Sequence, residues 1–235
     1  MKTNKLFATA VAAFISVSSF AQTVDEIVDK HIAALGGADK LKSVNTIVAE
    51  RSLSVQGMDI PTVSTLVVNK AVRSESTVMG NSMVQAYDGT NAWMIRPTMM
   101  GGTGEPENMP ADQLKQLKSQ LDPFGPLFNY KEKGNKVELI GKEKVDKKDT
   151  YHLKVTTAGG EVSDQYIDAT TYLLTKTKAS ANGQDVEINF SDYKDVDGIK
   201  FAYAMDLSNQ MGNLAFLTSK IKINGPVDEK VFKKP

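Results

Sequence analysis

Val186-Glu187-Ile188-Asn189-Phe190 and, beyond the turn at Asp197-Gly198, Ile199-Lys200-Phe201-Ala202-Tyr203-Ala204-Met205-Asp206-Leu207 decide the fold. Apolar and polar side chains alternate with a period of two, so each run has one buried and one wet face. The Asp-Gly pair suits a tight turn with positive φ. The two runs read as an antiparallel hairpin.

The same signature extends outward in both directions. Tyr151, Leu153 and Val155 alternate with His152 and Lys154, and Ile47, Ala49, Leu53 and Val55 oppose Glu50, Ser52 and Ser54. Further strand candidates fall at 62–69, 71–79, 82–88, 91–96, 136–145, 162–168, 171–180 and 213–223. Asp88-Gly89, Gly159-Gly160 and Asn182-Gly183 supply further hairpin turns. Short sequential connections imply an up-and-down order without βαβ crossovers. The expected class is mainly β with two or three helices, an antiparallel sheet of about eleven strands that curls into an unclosed barrel.

Helical periodicity occurs twice. Thr23 and Glu26 form a capping box, and Val24, Ile27, Val28, Ile32 and Leu35 follow at helical spacing until Gly36-Gly37. Residues 38–44 read as a short turn. The second helix, about 110–121, carries the narrow stripe Leu114, Leu117, Leu121 inside an interruption of the meander at 97–131. Insertions of that length commonly serve as lids. Two helices laid over the mouth of a curled sheet shield either a hydrophobic cavity or a filled core.

The start of the chain reads as an export signal. Lys2 and Lys5 precede the apolar run Leu6 to Val17, and Ser19-Phe20-Ala21 offers a cleavage site, so residues 1–21 are expected to be removed and residues 22–235 to form one domain. The run is short for a membrane span, and a lipid anchor would need a cysteine, of which there is none. The mature chain is expected to be exported. The chain has 28 basic and 28 acidic residues, and the leader removes two lysines and no acid. A nearly neutral surface of this kind excludes an electrostatic drive toward nucleic acid.

Catalytic constellations are absent from the sequence. Cysteine chemistry is excluded, and the two histidines, His31 and His152, have no Gly-x-Ser-x-Gly or clustered acid beside them. Both read as surface or boundary residues. Asp192, Asp195 and Asp197 fail the spacing of a calcium loop, and Gly101-Gly102-Thr103-Gly104 lacks the Lys-Ser/Thr of a phosphate cradle. No enzyme activity, cofactor or metal is expected. Methionine, by contrast, is concentrated: Met79, Met83, Met94, Met99, Met100 and Met109 fall between residues 79 and 109. Flexible thioethers suit a surface that accepts variable apolar shapes, although they also fill cores. Acyl chains are natural guests, each buried methylene contributing about 0.8 kcal/mol.

One stretch resembles a known family. Val84-Gln85-Ala86-Tyr87-Asp88-Gly89-Thr90-Asn91-Ala92-Trp93-Met94-Ile95-Arg96-Pro97 is similar to the DG-x-x-x-W-x-x-x-P hairpin of the periplasmic lipoprotein carriers, the LolA/LolB-like family of outer-membrane lipoprotein sorting. Leu66-Val67-Val68-Asn69-Lys70-Ala71 resembles the family's strand ending in a basic residue and proline, with Ala71 in place of the proline. Val227 to Pro235 is similar to its Phe-then-Pro ending. The resemblance implies an unclosed barrel with a helical lid that ferries lipids or lipid-modified proteins between envelope donor and acceptor proteins. It also implies a lid latch at Lys70. Arg51, on an otherwise apolar strand face, is a second latch candidate, or else an edge residue whose guanidinium reaches out to water.

The reading is therefore a monomeric, non-catalytic periplasmic carrier of lipid or lipoprotein acyl chains. The candidate cavity and lid residues are Met79, Met83, Trp93, Ile95, Met99, Met100, Leu114, Leu117, Leu121 and Phe124. The competing readings are an envelope scaffold or protein-interaction domain with a filled core, and an envelope hydrolase.

Overall fold

The computed structural model describes residues 22–55, 57–181, 184–210 and 212–235. The expected leader and the Asn182-Gly183 turn lie outside these residues. Helix α1 (Val24–Leu35) and the short α2 (Ala38–Lys42) come first. A five-strand meander follows: β1 (Thr46–Val55), β2 (Met58–Val67), β3 (Ala71–Val78), β4 (Asn81–Tyr87) and β5 (Ala92–Ile95). After a 3₁₀ turn at Thr98–Met100 come the two-residue β6 (Glu107–Asn108) and α3 (Ala111–Ser119). A second meander then runs through β7 (Lys136–Val145), β8 (Lys148–Thr156), β9 (Val162–Asp168), β10 (Leu174–Ala181), β11 (Gln184–Val196), β12 (Ile199–Asn209) and β13 (Gly212–Ile223).

All thirteen strands form one antiparallel sheet with the order β6-β5-β4-β3-β2-β1-β13-β12-β11-β10-β9-β8-β7. Each meander is up-and-down, as hairpin-forming turns require. The first and last long strands, β1 and β13, join the two meanders at the centre. The free edges are β6 and β7, and they are consecutive in the chain. Residues 109–135, carrying α3, therefore cross from one edge of the sheet to the other. That crossing makes the sheet an unclosed barrel with a helical element over its opening.

The strand count exceeds the expected eleven. Two-residue β6 pairs only with Trp93 and Met94, too short to show an alternation. Residues 38–44 include a helical turn, α2, where a plain turn was expected. It starts without a side-chain cap, and its one buried residue is Leu41.

The main core lies between the inner face of the sheet and α1. Ile27, Val28, Ile32 and Leu35 of α1 pack with Leu41, Ile47, Ala49, Leu66, Val72, Tyr151, Leu153, Ile167, Ile199 and Ile221. Leu127 and Phe128, in the crossing segment, join the same cluster. Burial of this kind contributes roughly 1.5–3 kcal/mol for each large apolar side chain. A second, smaller cluster lies on the opposite face, where Val84, Ala86 and Trp93 are buried.

Candidate functional site

Between α3 and the inner face of β4 and β5 runs a groove of about 440 Å³. Alternation assigns its floor: on β4, Met83 and Gln85 face inward with Tyr87, while Val84 and Ala86 face the other way. Met94 on β5 is paired with Gln85 and lies beside the same groove. From α3 the groove receives Leu117 together with Asp112, Gln113, Gln116 and Gln120, and Arg96 and Met100 complete it. The result is a floor of Met83, Gln85 and Met94 under a rim of amides, inside the range of roughly 300–1,000 Å³ for small-molecule sites. Gln113, Gln116 and Gln120 recur at helical spacing next to the leucine stripe, a signal that was present in the sequence and carries the polar rim.

The expected site residues divide into four groups. Met83, Met100 and Leu117 line the groove. Met79 and Met99 are outside the groove lining, 68% and 55% exposed, with the Asn81 amide bridging the Met79 carbonyl and the Met99 sulfur. Leu114, Leu121 and Phe124 pack on the margin of the main core, with Phe124 edge-on to Phe128 at 5.6 Å between ring centres.

Trp93 faces away from the groove, whereas Ile95 lines it from the edge of the sheet. Trp93 is buried on the outer face, and its indole Nε1 donates to the carbonyl of Phe232 at 2.7 Å. Ile95 borders the groove but packs against that outer cluster. The C-terminal segment covers this face: Phe232 is 1% exposed, the Arg73 guanidinium donates to the Val231 carbonyl, and Lys70 pairs with Glu229 at 2.6 Å. Lys70 thus ties the β2–β3 turn to the C-terminal 3₁₀ turn (Glu229–Phe232), and the described structure shows no contact from it to a lid helix. What holds the end of α3 is its neighbour: the Asn69 backbone N–H donates to the Leu121 carbonyl at 3.0 Å. The Lys118 ammonium over the Tyr87 ring, 4.8 Å from its centre, adds a second tether.

Helix α1 is packed into the main core. Its capping box is complete, with Thr23 and Glu26 satisfying each other's backbone N–H groups. Asp25 binds Tyr130 and Lys131 of the crossing segment, and the hydrogen bond from Lys131 leads in holding its carboxyl below the ordinary range. Gly36 ends the helix at φ 132° against the backbone of Gly198, where a Cβ would collide with the Gly198 carbonyl. His31, expected at a surface or boundary, is 3% exposed. Its Nδ1–H donates to the Tyr172 carbonyl at 2.7 Å, and burial lowers its pKa against that hydrogen bond. The sequence signal was its place in the apolar stripe, between Val28 and Ile32.

His152 is on the polar face of β8, as expected, but the sheet register gives it acidic neighbours. Its Nε2 meets Asp164 at 2.7 Å and its Nδ1 meets Glu143 at 2.8 Å, with the ring stacked on Tyr166 at 4.6 Å. The chain has no cysteine that could serve this cluster as a nucleophile. No group of three or more His, Cys, Asp or Glu side chains among the described residues stands ready to hold a metal ion. No helix among the described residues is long and apolar enough to cross a membrane.

No protein-family model matches the sequence, and no curated protein matches it closely enough to identify a relative. Comparison of folds is more informative. A LolA superfamily protein from Nitrosomonas europaea superposes with a TM-score of 0.60 at 13% identity, over 91% of this chain and 99% of that one. A domain named for outer membrane lipoprotein sorting, from Vibrio parahaemolyticus, gives 0.56 at 16% identity, over 89% and 95%. A DUF1329 family protein from Desulfovibrio piger gives 0.54 at 13%, over 89% and 97%. At such identities the likeness speaks for the architecture. This chain shares the architecture of these structures, an open antiparallel half-barrel with helices on its inner face.

Proposed function

We propose that the protein is an exported, non-catalytic binder of acyl chains, acting as a carrier of lipid or of lipid-modified protein in the periplasm. The observation that supports this reading is the groove beneath α3, with methionines on its floor and a single buried leucine on its cover. The cover is cheap to open. Leu117 is the one fully buried residue of α3, so lifting the helix exposes about 1.5–3 kcal/mol of burial for that side chain, with a smaller contribution from the partly buried Leu114. A chain of several methylenes at about 0.8 kcal/mol each recovers that cost. The leader sequence supports export, and donor and acceptor proteins in the envelope follow from a carrier's need to load and unload.

The filled-core alternative has a specific observation in its favour. The centre of the half-barrel is occupied by α1, Leu127 and Phe128, so this reading confines the guest to the groove beneath α3. The two readings separate on extraction of the purified protein with organic solvent followed by mass spectrometry, and on titration with a fluorescent fatty acid. A carrier yields acyl lipid and saturable binding, and Met83→Trp, which fills the groove floor without touching α1, weakens that binding at least tenfold. A protein with no extractable lipid and no saturable fatty-acid binding is a scaffold.

A further inference from the structure

The described residues contain two buried side-chain polar atoms without a hydrogen-bond partner, Arg51 Nε and Thr218 Oγ1. They are not scattered. Arg51 of β1 and Thr218 of β13 are directly opposite in the central strand pair, at the point where a bulge shifts its register. Buried polar groups are nearly always satisfied, so two orphans side by side call for a reason.

The surroundings supply one. Alternation along β1 places Arg51 on the inner face between Ala49, in the helix-packed core, and half-buried Leu53. No ion pair includes Arg51 among the described residues. The carboxylates on the neighbouring strands belong to the other face: Glu50 pairs with Lys220, and Asp59 lies opposite Ser54. Burial also depresses the guanidinium pKa below its ordinary value, as expected of a cation without a counter-charge.

The pairing register carries this cation toward the groove. Thr218, Arg51, Thr62, Ser76 and Met83 are successive partners across β13, β1, β2, β3 and β4. Thr62 and Ser76 satisfy each other through a 2.8 Å hydroxyl hydrogen bond. Met83, last in the row, lines the groove under α3. From Arg51 to Met83 is three strand spacings, roughly 14 Å, a span comparable with an extended laurate chain. Leu53, Ile60 and Phe216 flank Arg51 on the side away from the helices, each half-buried. They give the cation a low-dielectric setting in which an ion pair is strengthened.

We propose that Arg51, with Thr218 beside it, is the head-group site for a single-chain anionic amphiphile whose tail runs along the sheet into the groove. The guanidinium offers a planar fork matched to two oxygens, and the Thr218 hydroxyl can donate to a third lone pair. This inference rests on the acyl-binding reading and adds the head-group chemistry to it. It also explains why an uncompensated cation persists on an apolar face, since functional sites commonly hold what folding alone would discard.

The test compares laurate with dodecanol, which has the same tail and no charge, by displacement of a fluorescent fatty acid from delipidated protein and from its Arg51→Met and Arg51→Lys variants. In the wild type, laurate binds at least tenfold more tightly than dodecanol. Arg51→Met lowers laurate affinity about tenfold or more, leaves dodecanol unchanged, and melts at the same or a higher temperature without ligand, because an unpaired buried charge has been removed. Arg51→Lys restores part of the laurate preference. Equal laurate binding by wild type and Arg51→Met, with dodecanol still bound, overturns the head-group assignment and leaves the acyl groove standing. If the wild type binds neither probe, the acyl-binding reading falls and this inference with it.

Discussion

The two long helices on the inner face are built for different work. Helix α1 buries five of its twelve residues, has a complete capping box and is pinned at both ends. Helix α3 buries one of its nine, begins at Pro110 without a side-chain cap, and is held by a backbone hydrogen bond just past its end, a lysine on a tyrosine ring, the surface pair of Lys115 with Glu161 and the partly buried Leu114. At roughly 1.5–3 kcal/mol per buried large apolar side chain, the four apolar residues of α1 outweigh the single one of α3 by several kcal/mol. The first helix is part of the core, and the second is the element that the proposed carrier would open. The same sheet thus carries one deeply packed helix and one lightly packed helix.

That contrast can be broken most forcefully in α1. Ile27 is completely buried, so Ile27→Ala is expected to cost about 2–5 kcal/mol of global stability, read from denaturant midpoints at constant slope. The exposed face of α3 gives the opposite result: Lys115→Ala, which loses a surface pair with Glu161, should change stability by less than about 1 kcal/mol. A loss from Lys115→Ala as large as that from Ile27→Ala would make the two helices equivalent.

Between these extremes lies the pH response of α1. His31 is neutral in the fold, with its pKa lowered by burial. The unfolded chain therefore binds the proton more readily, and stability rises with pH. His31 contributes fully above the unfolded value near 6.5, and that contribution is lost as pH falls below it, at up to about 1.4 kcal/mol per pH unit for one proton. The melting temperature should fall from pH 7.5 to 5.5 in the wild type and fall less in His31→Gln. Identical profiles would remove His31 from the account. The smallest expected effect is that of Lys70→Ala. Its partner Glu229 is exposed, so stability should change by about 0.2–1 kcal/mol, with no change in fatty-acid affinity if Lys70 secures the C-terminal segment and not α3.

The elements were legible where the signal is local. Alternation in 184–208 and the Asp-Gly turns specify hairpins from neighbouring residues alone, and the capping box with its apolar stripe specifies α1 to the residue. What escaped was non-local. Nothing in the period of β1 announces β13 as its partner, and the Phe232 carbonyl that caps the Trp93 indole lies 139 residues away. Trp93 was therefore assigned to the cavity on its residue type, though its parity with Ala86 turns it outward. His152 met its carboxylates only through the pairing of β7, β8 and β9. The groove was half visible: Met83, Met100 and Leu117 were chosen for their chemistry, while the glutamine rim went unread because amides on a helix look like ordinary surface.

Hydrogen exchange followed residue by residue, with and without laurate, tests the proposed cover most directly. The account predicts that in the free protein the α3 amides exchange through a local opening of low free energy while those of α1 exchange only on global unfolding. Laurate should slow exchange in α3, β4 and β5 and leave α1 unchanged. If α3 and α1 open together, and laurate alters neither, the groove is not a binding site and α3 is not its lid.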